Sequence, residues 1–215
     1  MIPEFNQRNR ADGLSLLRWI DDEAAALVVF DPQHRAILER LSYGNEGERQ
    51  RGRALLPQMT ESKIVAMMAE IERVLRPGGH CALWIDKYLL VSGLWHRWMP
   101  EFSAMREVDC MIWRKLGAPG MGKRLRYRFE PMVVIQKAPF GTGKLWRDRG
   151  FDDVQDAKTD RARHPHAKPV DVMERFIRQV TAPGDLVVDP CAGGYGTLEA
   201  CRRSGRVFLG GDVNG

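Results

Sequence analysis

The residues whose types and spacing could do chemistry are two acids and a glycine-rich loop. In "DPCAGGYGT", residues 189–197, Gly193, Gly194 and Gly196 carry no side chains. Backbone N–H groups there can approach a ligand closely, and the helix start that follows turns its positive end toward a carboxylate or phosphate. Asp212 closes the next strand about 20 residues on, where an acid can take both hydroxyls of a ribose. The spacing departs from the G-x-G-x-x-G of pyrophosphate binders, which disfavours NAD. By themselves, the loop and its acid read equally as a nucleoside site and as a plain strand-to-helix turn. The other acid, Asp31, ends an apolar run and leads into Pro32, Gln33 and His34.

Other candidates carry less. Cys191 follows Pro190, as the nucleophile of C5-cytosine methyltransferases follows a proline, but here it sits inside the glycine loop and faces the wrong ligand. "FGTGKL" (140–145) lacks the first glycine and the hydroxyl residue of a phosphate loop. His164 and His166 have no evident third partner, so a metal site is not expected. "ERQRGR" (48–53) and "GKRLRYRF" (122–129) interleave cations with aromatic residues. That pattern suits phosphates and splayed bases, and it also suits a solvated face.

These residues need a frame. The 215 residues, with 44% hydrophobic and 28% charged, suit a globular fold with an ample core, and a formal charge of +5 favours a polyanionic partner. The N-terminus shows no signal-peptide pattern, and no apolar run approaches membrane-spanning length. The four cysteines lack metal-ligand spacing and read as reduced, packed thiols. A short helix is expected over 14–20, a buried strand over 25–30 and a polar excursion over 35–58. Thr60 caps a helix that stops at the Pro77-Gly78-Gly79 stretch, before a strand over 80–85. Strands over 108–115 and 130–137 form a hairpin. A polar segment (138–163) precedes a helix near 170–181, the strand 186–189, the glycine loop, a helix to Arg203 and the strand 206–212. Strands alternating with helices imply an α/β fold with a mainly parallel sheet.

"HPHAKP…GDLVVDPCAGGYGTLEACRRSGRVFLGGDVNG" resembles the closing third of permuted, β-type amino-group DNA methyltransferases. In that family an H-P-x-x-K-P segment, a D-P-F-x-G-S-G-T loop and a G-x-D strand end hold S-adenosylmethionine. "RADGLSLLRWIDDEAAALVVFDPQH" resembles the family's G-D-x-x-x-x-L…D-P-P-Y stretch. "RVLRPGGHCALWI" and "IWRK…FEPMVVIQK" resemble its following strand and hairpin. The likeness spans almost the whole chain in the family's order.

The resemblance implies a Rossmann-like, seven-stranded sheet with one antiparallel strand and circularly permuted order. It implies one methyltransferase domain over 1–215: a catalytic half (1–137) with basic loops 35–58 and 114–129, a short recognition insert (138–163) and a cofactor half (164–215). S-adenosylmethionine would be held by Asp12, Asp31, His164, Lys168, Pro169, Asp189, Pro190, Cys191, Ala192, Gly193, Gly194, Gly196, Thr197 and Asp212. The catalytic segment would be Asp31, Pro32, Gln33 and His34, with Gln33 for the family's second proline and His34 for the aromatic that stacks on the extruded base. Arg49, Arg51, Arg53, Lys123, Arg124, Arg126 and Arg128 would meet double-stranded DNA. The short insert leaves recognition to be shared with residues 35–58 or with a second copy in a homodimer. The implied activity is methyl transfer to an exocyclic amine, adenine N6 before cytosine N4, in a cytoplasmic restriction-modification setting without membrane contact. The rivals are a non-catalytic DNA-binding relative that keeps the cofactor pocket, and methylation of an RNA base or protein amide.

Overall fold

A computed structural model describes residues 2–34, 58–117, 125–141, 146, 150–158 and 167–213. The basic positions Arg49, Arg51, Arg53, Lys123 and Arg124, and His164, lie outside these described residues.

The elements alternate as the sequence pattern requires. Strand β1 (Asn9–Arg10) is followed by helix α1 (Gly13–Trp19), strand β2 (Ala25–Phe30) and helix α2 (Glu61–Val74). Then come strand β3 (Leu75–Trp84), helix α3 (Lys87–Ser92) and a 3-10 turn (Leu94–Trp98). The hairpin is β4 (Met105–Leu116) and β5 (Phe129–Lys137), and β6 is Val154–Lys158. Helix α4 (Val170–Val180), β7 (Leu186–Asp189), α5 (Gly196–Ser204) and β8 (Val207–Asp212) close the described chain.

The sheet order is β1-β8-β7-β2-β3-β5-β4-β6. Among the described strands only β5 runs against both of its neighbours, and the other pairings are parallel. Among the described residues the sheet has eight strands, where the resemblance implied seven and the sequence pattern gave six. The additions sit at its edges: the two-residue β1, and β6 inside the stretch read as a polar insert. An edge strand pairs through its backbone, so "VQDAK" needs no apolar run to belong, and nothing in its composition announced it.

A second difference concerns β3. It begins at Leu75, directly after α2, with a shift of register between the Ala25–Leu75 and Leu27–His80 pairs. Pro77, Gly78 and Gly79 thus form an irregularity within the strand, where the sequence pattern had ended a helix and left a turn. The sequence pattern had placed no element over 87–98, although Asp86 accepts from the N–H groups of Tyr88 and Leu89, at 2.7 and 2.9 Å, and so starts α3.

Strand β2, "AALVVF", is buried along its whole length because it lies inside a sheet covered on both faces. Ala25, Val28 and Phe30 face a core layer built with Leu16 and Leu17 of α1 and Ile64, Met67, Met68 and Ile71 of α2. Leu27 and Val29 face the opposite layer, with Phe176 and Ile177 of α4 and Leu198 and Cys201 of α5. The chain leaves β2 toward β3 across one face, and leaves β7 toward β8 across the other. Strands β7 and β2 are neighbours, so the sheet has its switch point between them. A crevice opens there beyond the carboxyl ends of the strands.

Candidate active site

The residues at that crevice come from both ends of the chain. Asp189 is the last residue of β7, and Asp31 follows β2 directly. They share a cleft of about 230 Å³ with residues 11–13, Gln33, Met59, Lys63, Trp84, Lys168, the glycine loop and Asp212. Asp12, Asp31, Lys168, Asp189, Pro190, Cys191, Ala192, Gly193, Gly194, Gly196, Thr197 and Asp212 all line it, as does Gln33. Pro32, His34 and Pro169 do not.

The glycine loop is fastened by backbone bonds. The Ala192 N–H donates to the Gly211 carbonyl at 3.1 Å, and the Tyr195 N–H donates to the Ala192 carbonyl at 2.7 Å. Tyr195 itself takes the left-handed conformation at the start of α5, and its hydroxyl donates to the Asn9 carbonyl at 2.8 Å. Close approach explains Gly13: a Cβ there would lie 2.3 Å from the Pro190 carbonyl oxygen. The first turn of α1 is thereby seated on the loop.

Electrostatics differ around the cleft. Burial raises Asp189 to about 7, against the opposing bonds from Thr197 and the Cys191 N–H, while Asp31 and Asp212 push the same way as burial. Burial, followed by Asp189, Asp31 and Asp212, keeps the Cys191 thiol protonated well above its ordinary range, which removes it as a nucleophile. Burial also opposes ionisation of Asp12, but the bonds from Lys63 and Ser15 outweigh it and hold the carboxyl low. Asp12 caps α1 by accepting from the Ser15 N–H, and its other oxygen pairs with Lys63 Nζ at 2.5 Å.

Asp31 belongs to a chain of charges. Lys168 Nζ lies 2.8 Å from its Oδ2 and 3.1 Å from Glu130 Oε2 on β5. Lys115 of β4 pairs with the other oxygen of Glu130. The Lys168 ammonium also sits 5.1 Å above the ring of Trp84. Burial opposes ionisation of Glu130, yet the two lysines lower it to about 2. Burial likewise opposes the charge on Lys168, and the two carboxylates overcome it and raise that group.

Sequence reasoning missed Lys63, Trp84 and Glu130. The one signal for Glu130 is a charge at the start of an otherwise apolar strand. Two expected residues behave differently from their neighbours. The Pro32 carbonyl already accepts the His34 N–H at 2.8 Å. The His34 ring meets Trp98 edge-on, with centroids 5.2 Å apart, and its Nδ1 is buried without a partner among the described residues. Arg126 and Arg128 are exposed at the entry to β5. Among the described residues no group of three His, Cys, Asp or Glu side chains could hold a metal, and no helix is long and apolar enough to cross a membrane.

Over 209 residues the chain is 40% identical to the Type II methyltransferase M.HhaII of Haemophilus parahaemolyticus, covering 97% of this chain and 91% of that protein. Residues 139–215 match the N6_N4_Mtase family, described as DNA methylase. The chain belongs to this DNA methylase family. A shorter match, 35% over 79 residues, joins it to the DNA adenine methyltransferase YhdJ of Escherichia coli (strain K12), covering 37% of this chain and 25% of that protein. Two solved methylases share the fold. The M1.HpyAVI–SAM complex superimposes with a TM-score of 0.67 at 18% identity, covering 96% of this chain and 92% of that one. The cytosine-N4-specific PvuII DNA methyltransferase does so with 0.71 at 15% identity, covering 96% and 81%.

The cleft of this methylase fits a cationic nucleoside cofactor. Its acids Asp12, Asp31 and Asp212 suit a sulfonium, an ammonium and ribose hydroxyls. Its glycine loop and the start of α5 suit a carboxylate.

Proposed function

We propose that this methylase transfers a methyl group from S-adenosylmethionine to the exocyclic amine of an extruded DNA base, adenine N6 in preference to cytosine N4. The observation that carries the reading is the position of Asp31, at the switch point and on the wall it shares with the glycine loop, with Lys168 against one oxygen. An amine on an aromatic ring is a poor nucleophile because its lone pair is delocalised. A carboxylate accepting one N–H, and a carbonyl accepting the other, draw the nitrogen toward tetrahedral geometry and free that pair. Asp31 supplies the carboxylate. Pro32 supplies the carbonyl, using the lone pair that the His34 N–H does not occupy. When bound, the cofactor supplies an electrophilic sulfonium methyl.

The glycine loop and residues 11–13 orient the cofactor, and Asp212 accepts from its ribose hydroxyls. Lys168 closes the wall beside Asp31, with Pro169 following it and His164 preceding it in the motif. The rate then comes from positioning and from acceptors arranged in advance, with no covalent intermediate. The base must leave its stack to reach Asp31. Gln33 and His34 stand beside that point to receive it. Arg126 and Arg128, with Arg49, Arg51, Arg53, Lys123 and Arg124, meet the phosphates. The likeness to YhdJ supports adenine. Residues 1–215 act as one unit, and sharing of recognition between two copies predicts a dimer on duplex DNA, read by sedimentation.

The test is tritium transfer from labelled cofactor to duplexes whose unmodified amines are confined to adenine or to cytosine, with RNA and protein as further acceptors. Label on the adenine duplex supports the reading, and label on cytosine alone moves it to N4. Binding of DNA without transfer to any acceptor favours a non-catalytic relative.

A further inference from the structure

The charge chain beyond Asp31 has a consequence that rests on the reading above. Lys168 does not belong to Asp31 alone, because its ammonium lies between two carboxylates, 2.8 Å from Asp31 and 3.1 Å from Glu130. Glu130 cannot move away from this contact. It is the second residue of β5, pairs in register with Trp113 of β4, and is held on its second oxygen by Lys115. All three side chains, Lys168, Lys115 and Glu130, have 20% or less of their area exposed, so water screens the chain weakly. Among the described residues, two positive and two negative groups therefore stand paired along the wall where the amine must react.

We propose that Glu130 is a positioning residue for methyl transfer: by sharing the Lys168 ammonium it places that cation against Asp31 and leaves the Asp31 carboxylate a strong acceptor for the target amine. A lysine paired only with Asp31 would concentrate its hydrogen bonds there and compete with the amine for the same oxygens. It would also leave an excess positive charge beside a nitrogen that becomes positive as the methyl arrives. Glu130 offsets both effects. Lys115 keeps Glu130 charged and aimed at Lys168.

The other ionisable groups around the pair set the direction of the test. Tyr127 feels Asp31, Glu130 and Asp86, and burial keeps its phenol neutral. Lys87 lies 5.6 Å over the Tyr127 ring. On the far side, Asp31 faces Asp189, Cys191 and Asp212. None of these carries a charge onto Glu130 as directly as the two lysines do. Removing the charge of Glu130 therefore makes the surroundings of Asp31 more positive, and removing that of Lys115 makes them more negative.

The experiment compares wild type, Glu130→Gln, Glu130→Asp and Lys115→Met in two measurements. The first follows the Asp31 side-chain carboxyl by carbon-13 NMR against pH in the protein without cofactor. Its titration should move to lower pH in Glu130→Gln and to higher pH in Lys115→Met. The second is single-turnover methylation of duplex DNA. Glu130→Gln should lose roughly tenfold or more in rate, as expected for a hydrogen bond to a charged group, with KM for DNA nearly unchanged and the acid limb moved to lower pH. Glu130→Asp should recover part of the rate. A lost packing contact cannot shift the two titrations in opposite directions. Breaking a buried pair can also unfold the protein, and in that case Lys115→Met alone decides by the sign of its shift. An Asp31 titration unmoved in the folded variants overturns the proposal, whatever the activity. Absence of transfer by the wild type overturns the function reading instead, and leaves the NMR result to stand or fall separately.

Discussion

Two side chains on one face of β3, four residues apart, have opposite fates. Trp84 ends the strand beneath the Lys168 ammonium, where Asp31, Lys168, Glu130 and Lys115 are half-buried and paired. His80 lies toward the amino-terminal side, fully buried, with neither ring nitrogen hydrogen-bonded among the described residues. Its ring meets Trp146 edge-on at 5.6 Å. Burial, followed by the charge of Arg76, lowers His80 to about 4. Charge near the sheet is held where partners are arranged, as at Arg206, which donates to Thr181 and Ser204, while His80, without such partners among the described residues, is kept neutral. Ions are retained where they are paired; without a partner the imidazole gives up its proton.

The largest expected effect breaks the charged end. Asp31→Ala should lower the single-turnover rate by roughly two orders of magnitude or more, because the carboxylate's bond to the amine strengthens as the methyl moves. Cofactor and DNA affinity, measured by calorimetry and by anisotropy, should change much less. Equal losses in rate and binding would make Asp31 a binding group only.

The neutral end is tested by acid. His80 titrates at 6.5 when unfolded and about 4 when folded, so its contribution to stability is complete above 6.5 and falls as pH drops toward 4. By about pH 5 the loss should be near 2 kcal/mol. His80→Phe should remove this part of the acid sensitivity in urea titrations at a series of pH values. Unchanged pH dependence would mean that the imidazole finds a partner when charged.

Asp212→Ala asks whether the cofactor loop needs a charge as the Asp31 wall does. It should weaken S-adenosylmethionine about tenfold by calorimetry, within the range for hydrogen bonds to a charged acceptor. The smallest effect is expected at His34, whose ring already rests on Trp98. His34→Ala should reduce the fluorescence change of a 2-aminopurine at the target position only a few-fold, and His34→Tyr should keep or raise it. An unaltered signal in the alanine variant would exclude stacking by this residue.

What the sequence alone determined is local or ordered along the chain. The six-residue apolar run ending at Asp31, the Thr60 cap, the glycines before α5 and the succession of strands and helices could all be read, because each depends on near neighbours or on period. The family's motif order also marked Asp31, Asp189 and Asp212 as ends of strands that meet. Short edge strands escaped, since β1 and β6 are held by backbone pairing to partners far away in the chain. The irregular start of β3 escaped too: pairing with β2 carries the strand back through a Pro-Gly-Gly stretch that otherwise reads as a stop. Only the tertiary structure decided that Lys168 would serve Asp31 and Glu130 together, that Trp84 would lie beneath it, and that His34 would turn its ring edge to Trp98. Those contacts depend on strand order, since β3 stands between β2 and β5 and so brings Asp31 and Glu130 to the same end of the sheet. Charges then settle where the folded geometry lets them pair.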